Sequence, residues 1–149
     1  MRAAAVGLPP VSPALGGQPA KRLWTDCVTR TNAARQTAGK VPLTVDLRLA
    51  TAATSHSAYQ AQQLTMSHVG PQGLSDAGQR STAAGYTWTA WGENVAAGQP
   101  DCTSVLAAWM GSSSHRANIL NGTFRHIGIG CIEGANGVRY WTMVLGAGG

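Results

Sequence analysis

The feature that most constrains the fold is a pair of glycines on one face of a strand near the end of the chain. The segment from Arg125 to Glu133 alternates with a period of two, and Ile127 and Ile129 lie on one face. Gly128 and Gly130 occupy the other face, where no side chain fills the space. A strand with two such glycines accepts another backbone at very short range. The pattern predicts that another backbone or a helix packs very close to this strand.

Helical periodicity and capping residues predict that the helices precede the hairpin. The final strand and its partner are joined by a turn that contains the turn-favouring pair Asn136-Gly137. Helices followed by an antiparallel hairpin indicate an α+β layered fold. The predicted helices cover residues 23–38, 47–65, 75–84 and 102–111, with a helical turn at 115–120, and the predicted extended segments cover 91–97, 125–133 and 138–145.

The 149 residues suit one domain, which we place at residues 21–149. Residues 1–20 are rich in Pro, Gly and Ala and are predicted to form a disordered arm. The first apolar run stops at Pro9-Pro10 and is shorter than a signal peptide requires. A truncated start, a signal already removed and another export route all stay open. No run is long enough to predict a transmembrane segment.

The charge composition of the chain limits the classes of molecule that it is expected to bind. Only 11% of residues are charged, the net charge is +5, and the basic residues are spread along the chain. A nucleic-acid-binding protein would show a basic stripe or a known module, and neither is present. A surface whose polarity comes mostly from uncharged side chains is common in secreted proteins. The composition therefore favours an extracellular protein whose basic surface is merely solvated, and weak attraction to anionic surfaces is the alternative.

The three cysteines show neither a C-x-x-C pair nor a zinc-finger spacing. In a secreted protein they predict one disulfide and one odd thiol, and three reduced thiols are the alternative. We predict that Cys102 pairs with Cys131, because the two flank the same block of sequence. That assignment leaves Cys27 without a role. Because Cys131 falls in a strand, we expect its sulfur to be buried and unreactive.

The candidate site starts from one of only six acidic residues. Glu93 stands in an otherwise apolar run, where a carboxylate is costly unless it is paired or has a task. His115 follows an apolar helical segment and is predicted to be exposed, and His68 lies just past a helix end. Two imidazoles and a carboxylate suit a divalent metal, general acid–base catalysis or a structural cluster. Partners that could orient the histidines are Asn94, Asn118 and Ser112.

Other catalytic motifs are absent from the sequence. There is no H-E-x-x-H, and no G-x-S-x-G that would indicate a serine hydrolase. Serines 112–114 at a helix end are more typical of a cap or a turn. His56, within a predicted helix, is predicted to be a partly buried histidine bonded to a neighbour.

In their order and spacing, several short motifs resemble the CAP superfamily, whose domain is also called the SCP domain. The likeness is to its compact bacterial-type form and covers about residues 24–146. It rests on Thr31-Asn32-Ala33-Ala34-Arg35, Pro42-Leu43, Asp46-Leu47, Ser67-His68, Gly85-Tyr86, Gly92-Glu93-Asn94-Val95-Ala96, Trp109, His115-Arg116-Ala117-Asn118-Ile119-Leu120, Ile127-Gly128-Ile129-Gly130 and Tyr140-Trp141.

The resemblance implies a three-layer α-β-α sandwich with a central antiparallel sheet. It also implies a cleft with two histidines and two glutamates, which in some members bind zinc or another divalent ion. His68, Glu93 and His115 match three members of that tetrad, and Ser112 stands where the second glutamate would be. A serine hydroxyl carries no charge, so the change puts tight metal binding in doubt.

The function that the resemblance implies is a secreted, monomeric, non-enzymatic protein that needs no cofactor. It would bind a small lipid, a sterol or a cell-surface ligand in a cleft lined by His68, Glu93, Ser112, His115, Asn94 and Asn118. One alternative is a hydrolase of peptide or cell wall, in which His68 and His115, with Glu93 nearby, hold Zn²⁺ or another divalent metal. The other is a module whose polar cluster only stabilises the fold.

Overall fold

The computed structural model describes the backbone of residues 18–149 and the side chains of residues 25–149. The first 17 residues of the predicted arm lie outside this range, and the first helix begins at Gln18 rather than at Leu23. The elements in chain order are α1 (Gln18–Thr37), β1 (Thr44–Val45), α2 (Leu47–Gln63), α3 (Ala77–Ala83), β2 (Trp88–Ala97), α4 (Cys102–Met110), α5 (Ser113–Ile119), β3 (His126–Glu133) and β4 (Arg139–Gly148).

The four strands form one sheet in the order β1-β3-β4-β2. β4 pairs antiparallel with β3, as the hairpin turn predicted, and also pairs antiparallel with β2. β1 instead runs parallel to β3, with Thr44 opposite His126. The sequence carried no signal for this strand, because two residues are too few to show alternation. The predicted α+β sandwich is confirmed, with helices on both faces of the sheet.

Helix α2 packs on the glycine face of β3. A Cβ atom at Gly128 would collide with the backbone of Leu49 and Ala50. At Gly130 it would lie 2.6 Å from backbone atoms of Ala53 and Thr54. Only glycine permits this approach, so the helix predicted from the two glycines is confirmed, and it is α2.

The layer between α2 and the sheet contains polar as well as apolar groups. Ser57 Oγ lies 2.8 Å from Thr142 Oγ1, and Gln60 Nε2 donates to the same hydroxyl at 3.0 Å. All three side chains are buried. Because each polar group has a partner, their desolvation is largely compensated.

The opposite face of the sheet holds the larger hydrophobic core. The N–H groups of both buried indoles are hydrogen-bonded. Trp109 Nε1 donates to Val95 O at 3.0 Å, and Trp141 Nε1 donates to Gln99 O at 2.9 Å. Helices α1, α4 and α5 cover this face. The buried members of this core are Cys27, Leu43, Ala96, Cys102, Val105, Leu106, Trp109, Ile119, Phe124, Ile127, Ile129, Trp141, Met143 and Leu145.

One disulfide links α1 to α4, and it is not the predicted one. Cys27 pairs with Cys102, with their Cα atoms 5.1 Å apart, and Cys131 is a free thiol. The predicted Cys102–Cys131 bond is wrong because proximity in sequence does not report which helices pack side by side. Cys131 lies on β3 and packs against the apolar core, where burial raises its thiol pKa to about 12. Cys131 is half-buried rather than buried, and that it is unreactive stays a prediction.

In the part of the chain that the structure describes, no helix is both long enough and apolar enough to cross a bilayer.

Candidate functional site

Strand β2 places Glu93 and Asn94 on opposite faces of the sheet, since successive strand residues alternate. Glu93 lies opposite Val144, which packs with Leu49 of α2. Asn94 lies opposite Met143, on the side covered by α4 and α5. The carboxylate therefore faces the α2 side, and the amide faces the other side.

Both oxygens of the Glu93 carboxylate are engaged. Oε1 lies 2.8 Å from His68 Nδ1, and Oε2 accepts from Arg80 Nη2 at 2.6 Å. The side chains of Glu93 and Arg80 are only 2% and 3% exposed. A buried charge needs a partner of opposite sign, and here the guanidinium supplies it. The condition that made Glu93 a candidate, a carboxylate that must be paired, is met by Arg80.

Sequence reasoning missed Arg80. It is the one charged residue of α3, a short helix capped by Asp76, which accepts from Gln79 N at 2.8 Å. The helix is shorter than predicted and begins after Asp76 rather than after Ser75. The available signal was that Arg80 is a single charged residue in a helix of otherwise small or uncharged residues. No neighbouring residue in the sequence indicated that its side chain points inward to the Glu93 carboxylate on β2.

Arg80 also organises the chain around His68. Its guanidinium donates to Leu74 O at 2.8 Å and to His68 O at 3.2 Å. Gly70 makes room for it, since a Cβ there would lie 2.9 Å from Arg80 Nη1. Because the Glu93 carboxylate only accepts, His68 Nδ1 carries the hydrogen of this bond. The His68 side chain is 37% exposed, so the cluster reaches the surface at this imidazole.

His115 differs from its prediction, because it is 2% exposed rather than exposed. Its Nδ1 lies 2.9 Å from Ser112 Oγ, the residue in the place of the second tetrad glutamate. The backbone carbonyl of His115 accepts from Asn94 Nδ2 at 3.1 Å. Asn118 Nδ2 donates to Asn94 Oδ1 at 2.9 Å and to Glu93 O at 3.3 Å. The two asparagines thus connect the α5 segment to the backbone of Glu93.

The structure brings His68 and Glu93 into direct contact, while His115 is linked to them through Asn94 and Asn118. Among the described residues, no three His, Cys, Asp or Glu side chains converge as metal ligands. The donor set explains this, since Glu93 gives one oxygen to a guanidinium and the other to an imidazole. That His68 and His115, with Glu93 nearby, hold a divalent metal stays a prediction.

A second buried histidine lies close to this cluster. His56 on α2 is 1% exposed, and its Nε2 lies 2.6 Å from Ser67 O. A carbonyl only accepts, so Nε2 carries the hydrogen and Nδ1 is an acceptor. Burial lowers the His56 pKa, and the positive charge of Arg80 lowers it further, against the opposing effect of Glu93. The predicted histidine bonded to a neighbour is confirmed, and it is neutral.

His56 and Arg80 both line a cavity of about 250 Å³ between α2 and the segment that leads into α3. His56 Nδ1 and Arg80 Nε are buried and have no hydrogen-bond partner. Buried polar atoms are rarely left unsatisfied, and such atoms call for an explanation. The remaining walls are Ser55, Ala58, Tyr59, Gln62, Pro71 and Leu74.

Comparison with known families identifies the family of this chain. The model of the cysteine-rich secretory protein family, CAP, matches residues 28–145. That range includes His68, Arg80, Glu93, Ser112 and His115, so the whole candidate site lies inside it.

Comparison with known proteins gives both sequence and structural relatives. An uncharacterized Bacillus subtilis protein, YkwD, is 36% identical over 116 residues, which are 78% of this chain and 44% of YkwD. An extracellular SCP-domain protein of Bacillus anthracis has a TM-score of 0.82 at 25% identity, over 93% of this chain and 45% of that one. An outer surface protein of Borrelia burgdorferi has a TM-score of 0.76 at 18% identity, over 84% and 92%. The chain thus spans less than half of the two Bacillus proteins.

Proposed function

The chain belongs to the CAP family, and from this we propose that it acts outside the cell as a non-enzymatic domain that binds a small lipid or surface ligand. Two observations support the extracellular setting. The similar Bacillus anthracis protein is described as extracellular. The Cys27–Cys102 disulfide suits an oxidising environment, since such bonds are rare in the cytosol.

The observation that carries the proposal is the engagement of both Glu93 oxygens. A general base must reach a substrate proton, and Glu93 could do so only by giving up His68 or Arg80. Ser112 adds no second carboxylate, so the acid–base pair of the full tetrad is absent. Residues held this way favour binding over catalysis. His68, as the exposed end of the cluster, is the member that we expect to contact a ligand.

The cavity beside Arg80 indicates which ligand chemistry fits. His56 and Arg80 contribute polar side chains to the lining, and we propose that they bond to a hydroxyl group. Ala58, Pro71 and Leu74 provide apolar walls for an attached chain. At about 250 Å³ the cavity lies below the roughly 300–1,000 Å³ usual for drug-sized ligands. A single-chain lipid with a hydroxyl head therefore fits better than a whole sterol.

The test is retention of radiolabelled dodecanol and labelled cholesterol by the purified protein. We expect saturable retention of dodecanol. Ala58→Trp fills the cavity from an exposed helix position, and we expect it to weaken binding about tenfold. Ala107→Trp makes the same change on the exposed side of α4 and should leave binding unchanged. Absence of retention by the wild type, or equal loss in both variants, would contradict the proposal.

A separate measurement distinguishes a binding role from a purely structural one. The double change His68→Ala with Glu93→Ala removes the exposed end of the cluster and its carboxylate. If dodecanol retention persists while the melting temperature falls, the cluster only stabilises the fold. We expect retention to fall by more than the folded fraction does.

A further inference from the structure

A second concave surface lies along α3, and neither His68 nor Glu93 is among its lining residues. Two tryptophans of β2, Trp88 and Trp91, are 39% and 36% exposed there. Together with α3 and the preceding loop they line an open groove of about 420 Å³. Large exposed aromatic side chains in a concave surface mark binding sites more often than single exposed apolar residues do. Neither the proposed lipid cavity nor the Glu93 cluster uses these indoles.

Both indoles are held in place by α3. Trp88 Nε1 donates to Gly78 O at 2.9 Å and to Thr82 Oγ1 at 3.1 Å. The Trp91 ring lies directly on Gly78, where a Cβ would come within 2.9 Å of its Cδ1 atom. Gly78 is the residue that lets the second ring settle against the helix. Rings that are already ordered lose little conformational freedom on binding, so this surface is prepared for a ligand.

The polar lining of the groove is uncharged except for one carboxylate. Gly73, Asp76, Gln79, Thr82 and Ala83 complete the walls. The Gln79 carbonyl oxygen accepts from Ser75, which leaves the amide N–H groups of this lining residue available as donors. Asp76 uses Oδ1 to cap α3, and Oδ2 is left as an acceptor. Indole faces flanked by amide, hydroxyl and carboxylate groups match a molecule with apolar C–H faces and many hydroxyls.

We propose that this groove binds a neutral saccharide chain. The C–H face of a sugar ring would stack on an indole, and its hydroxyls would bond to Gln79 and Asp76. A nucleic acid fits less well, since the only charged residue in the lining is acidic. An organic cation would be attracted to indole and carboxylate, but such ligands are usually enclosed by an aromatic cage, and this groove is open.

The experiment is calorimetric titration of the whole protein with cellotetraose, chitotetraose, maltotetraose and mannotetraose, each alone, and with phosphocholine. We expect one or more of the sugars to bind with a dissociation constant in the micromolar to millimolar range. Trp91→Ala should weaken that binding about tenfold or more, Gln79→Ala should weaken it less, and Trp91→Phe should retain much of it. Leu47→Ala removes an exposed apolar side chain that lies outside the lining of the groove and should change nothing.

Melting curves of each variant establish that the loss is not unfolding, and Trp91→Phe keeps the test valid if the alanine variant is unstable. Binding of none of the four sugars overturns the proposal. Binding of phosphocholine alone overturns it in favour of an organic cation, and equal loss in Trp91→Ala and Leu47→Ala overturns the assignment to this groove. None of these outcomes affects the dodecanol experiment.

Discussion

The two faces of the sheet are built differently. On the face covered by α1, α4 and α5, large apolar side chains such as Trp109 and Trp141 fill the space, and a disulfide joins two of the helices. On the face covered by α2, Gly128 and Gly130 bring backbone against backbone. This second face also buries Glu93, Arg80 and several other polar groups.

The two faces differ in what stabilises them and in whether we expect them to bind a ligand. A core of large side chains gains its stability from the area it removes from water. The α2 face has less volume to fill and must satisfy buried charges instead, so its stability depends on specific pairs. The unsatisfied atoms of His56 and Arg80, and the cavity that they line, are beside this face. The polar face is therefore where we expect ligands.

The largest expected effect follows from breaking the buried ion pair on the polar face. Arg80→Met leaves the Glu93 carboxylate buried without its cation, and we expect a loss of about 3–5 kcal/mol in the free energy of unfolding. Urea denaturation measures it. Adding Glu93→Met removes the stranded charge, so the double variant should be more stable than Arg80→Met alone. A simple sum of the two single losses would show that the pair does not act as a unit.

The next effect concerns the apolar face. Replacing Cys27 and Cys102 together with alanine opens the crosslink between α1 and α4, and we expect a loss of about 2–4 kcal/mol. Cys131→Ala is the matched control and should cost about 1 kcal/mol, because it removes only one partly buried sulfur. Non-reducing peptide mapping should find Cys27 linked to Cys102. A peptide that contains Cys131 in a disulfide would contradict the structure.

A smaller effect is expected where α2 meets the sheet. Gly130→Ala forces a methyl group against Ala53 and Thr54, and the strain should lower stability by about 1–3 kcal/mol. Gly122→Ala is the control, because its nearest neighbour is the Lys40 side chain at 3.9 Å. Thermal unfolding of the two variants compares them directly. Equal melting temperatures would mean that the close approach of α2 contributes no strain.

The smallest effect is the pH dependence of the polar face. His56 has a pKa below its usual 6.5 in the folded protein because of burial, so the unfolded chain binds its proton first. Stability should be constant above about pH 6.5 and fall as the pH drops below it, by at most about 1.4 kcal/mol per unit. His56→Gln should reduce that slope between pH 5 and 7. An unchanged slope would show that another group is responsible.

Much of the fold could be predicted because its signals are local. Gly128 and Gly130 revealed the close helix, and Asp46 marked the start of α2, where its side chain accepts from Arg48 N. The turn at Asn136-Gly137 located the hairpin. Alternation, capping and turn residues act over a few positions, so a sequence displays them directly.

The parts that were missed depend on contacts between distant elements. Cys27 and Cys102 are 75 residues apart and meet only because α1 and α4 pack together. Arg80 reaches Glu93 only because α3 lies beside β2. His115 was predicted to be exposed because it follows a helix, yet the turn into α5 buries it. Neither the hydrophobic periodicity nor the spacing of residues in the sequence shows which distant elements contact each other. That the predicted cleft residues contact a ligand stays a prediction.

The Cys27–Cys102 bond makes the intervening chain a covalent ring. His56, His68, Arg80 and Glu93 all fall within this ring, whereas Ser112 and His115 lie beyond it. If a protease cut the exposed loop around Gln72 once, the disulfide would therefore keep the two fragments connected. Both fragments would still contribute strands to the same sheet. In protease-rich surroundings, a single cut within this ring would not separate the residues of the charged cluster from the rest of the protein.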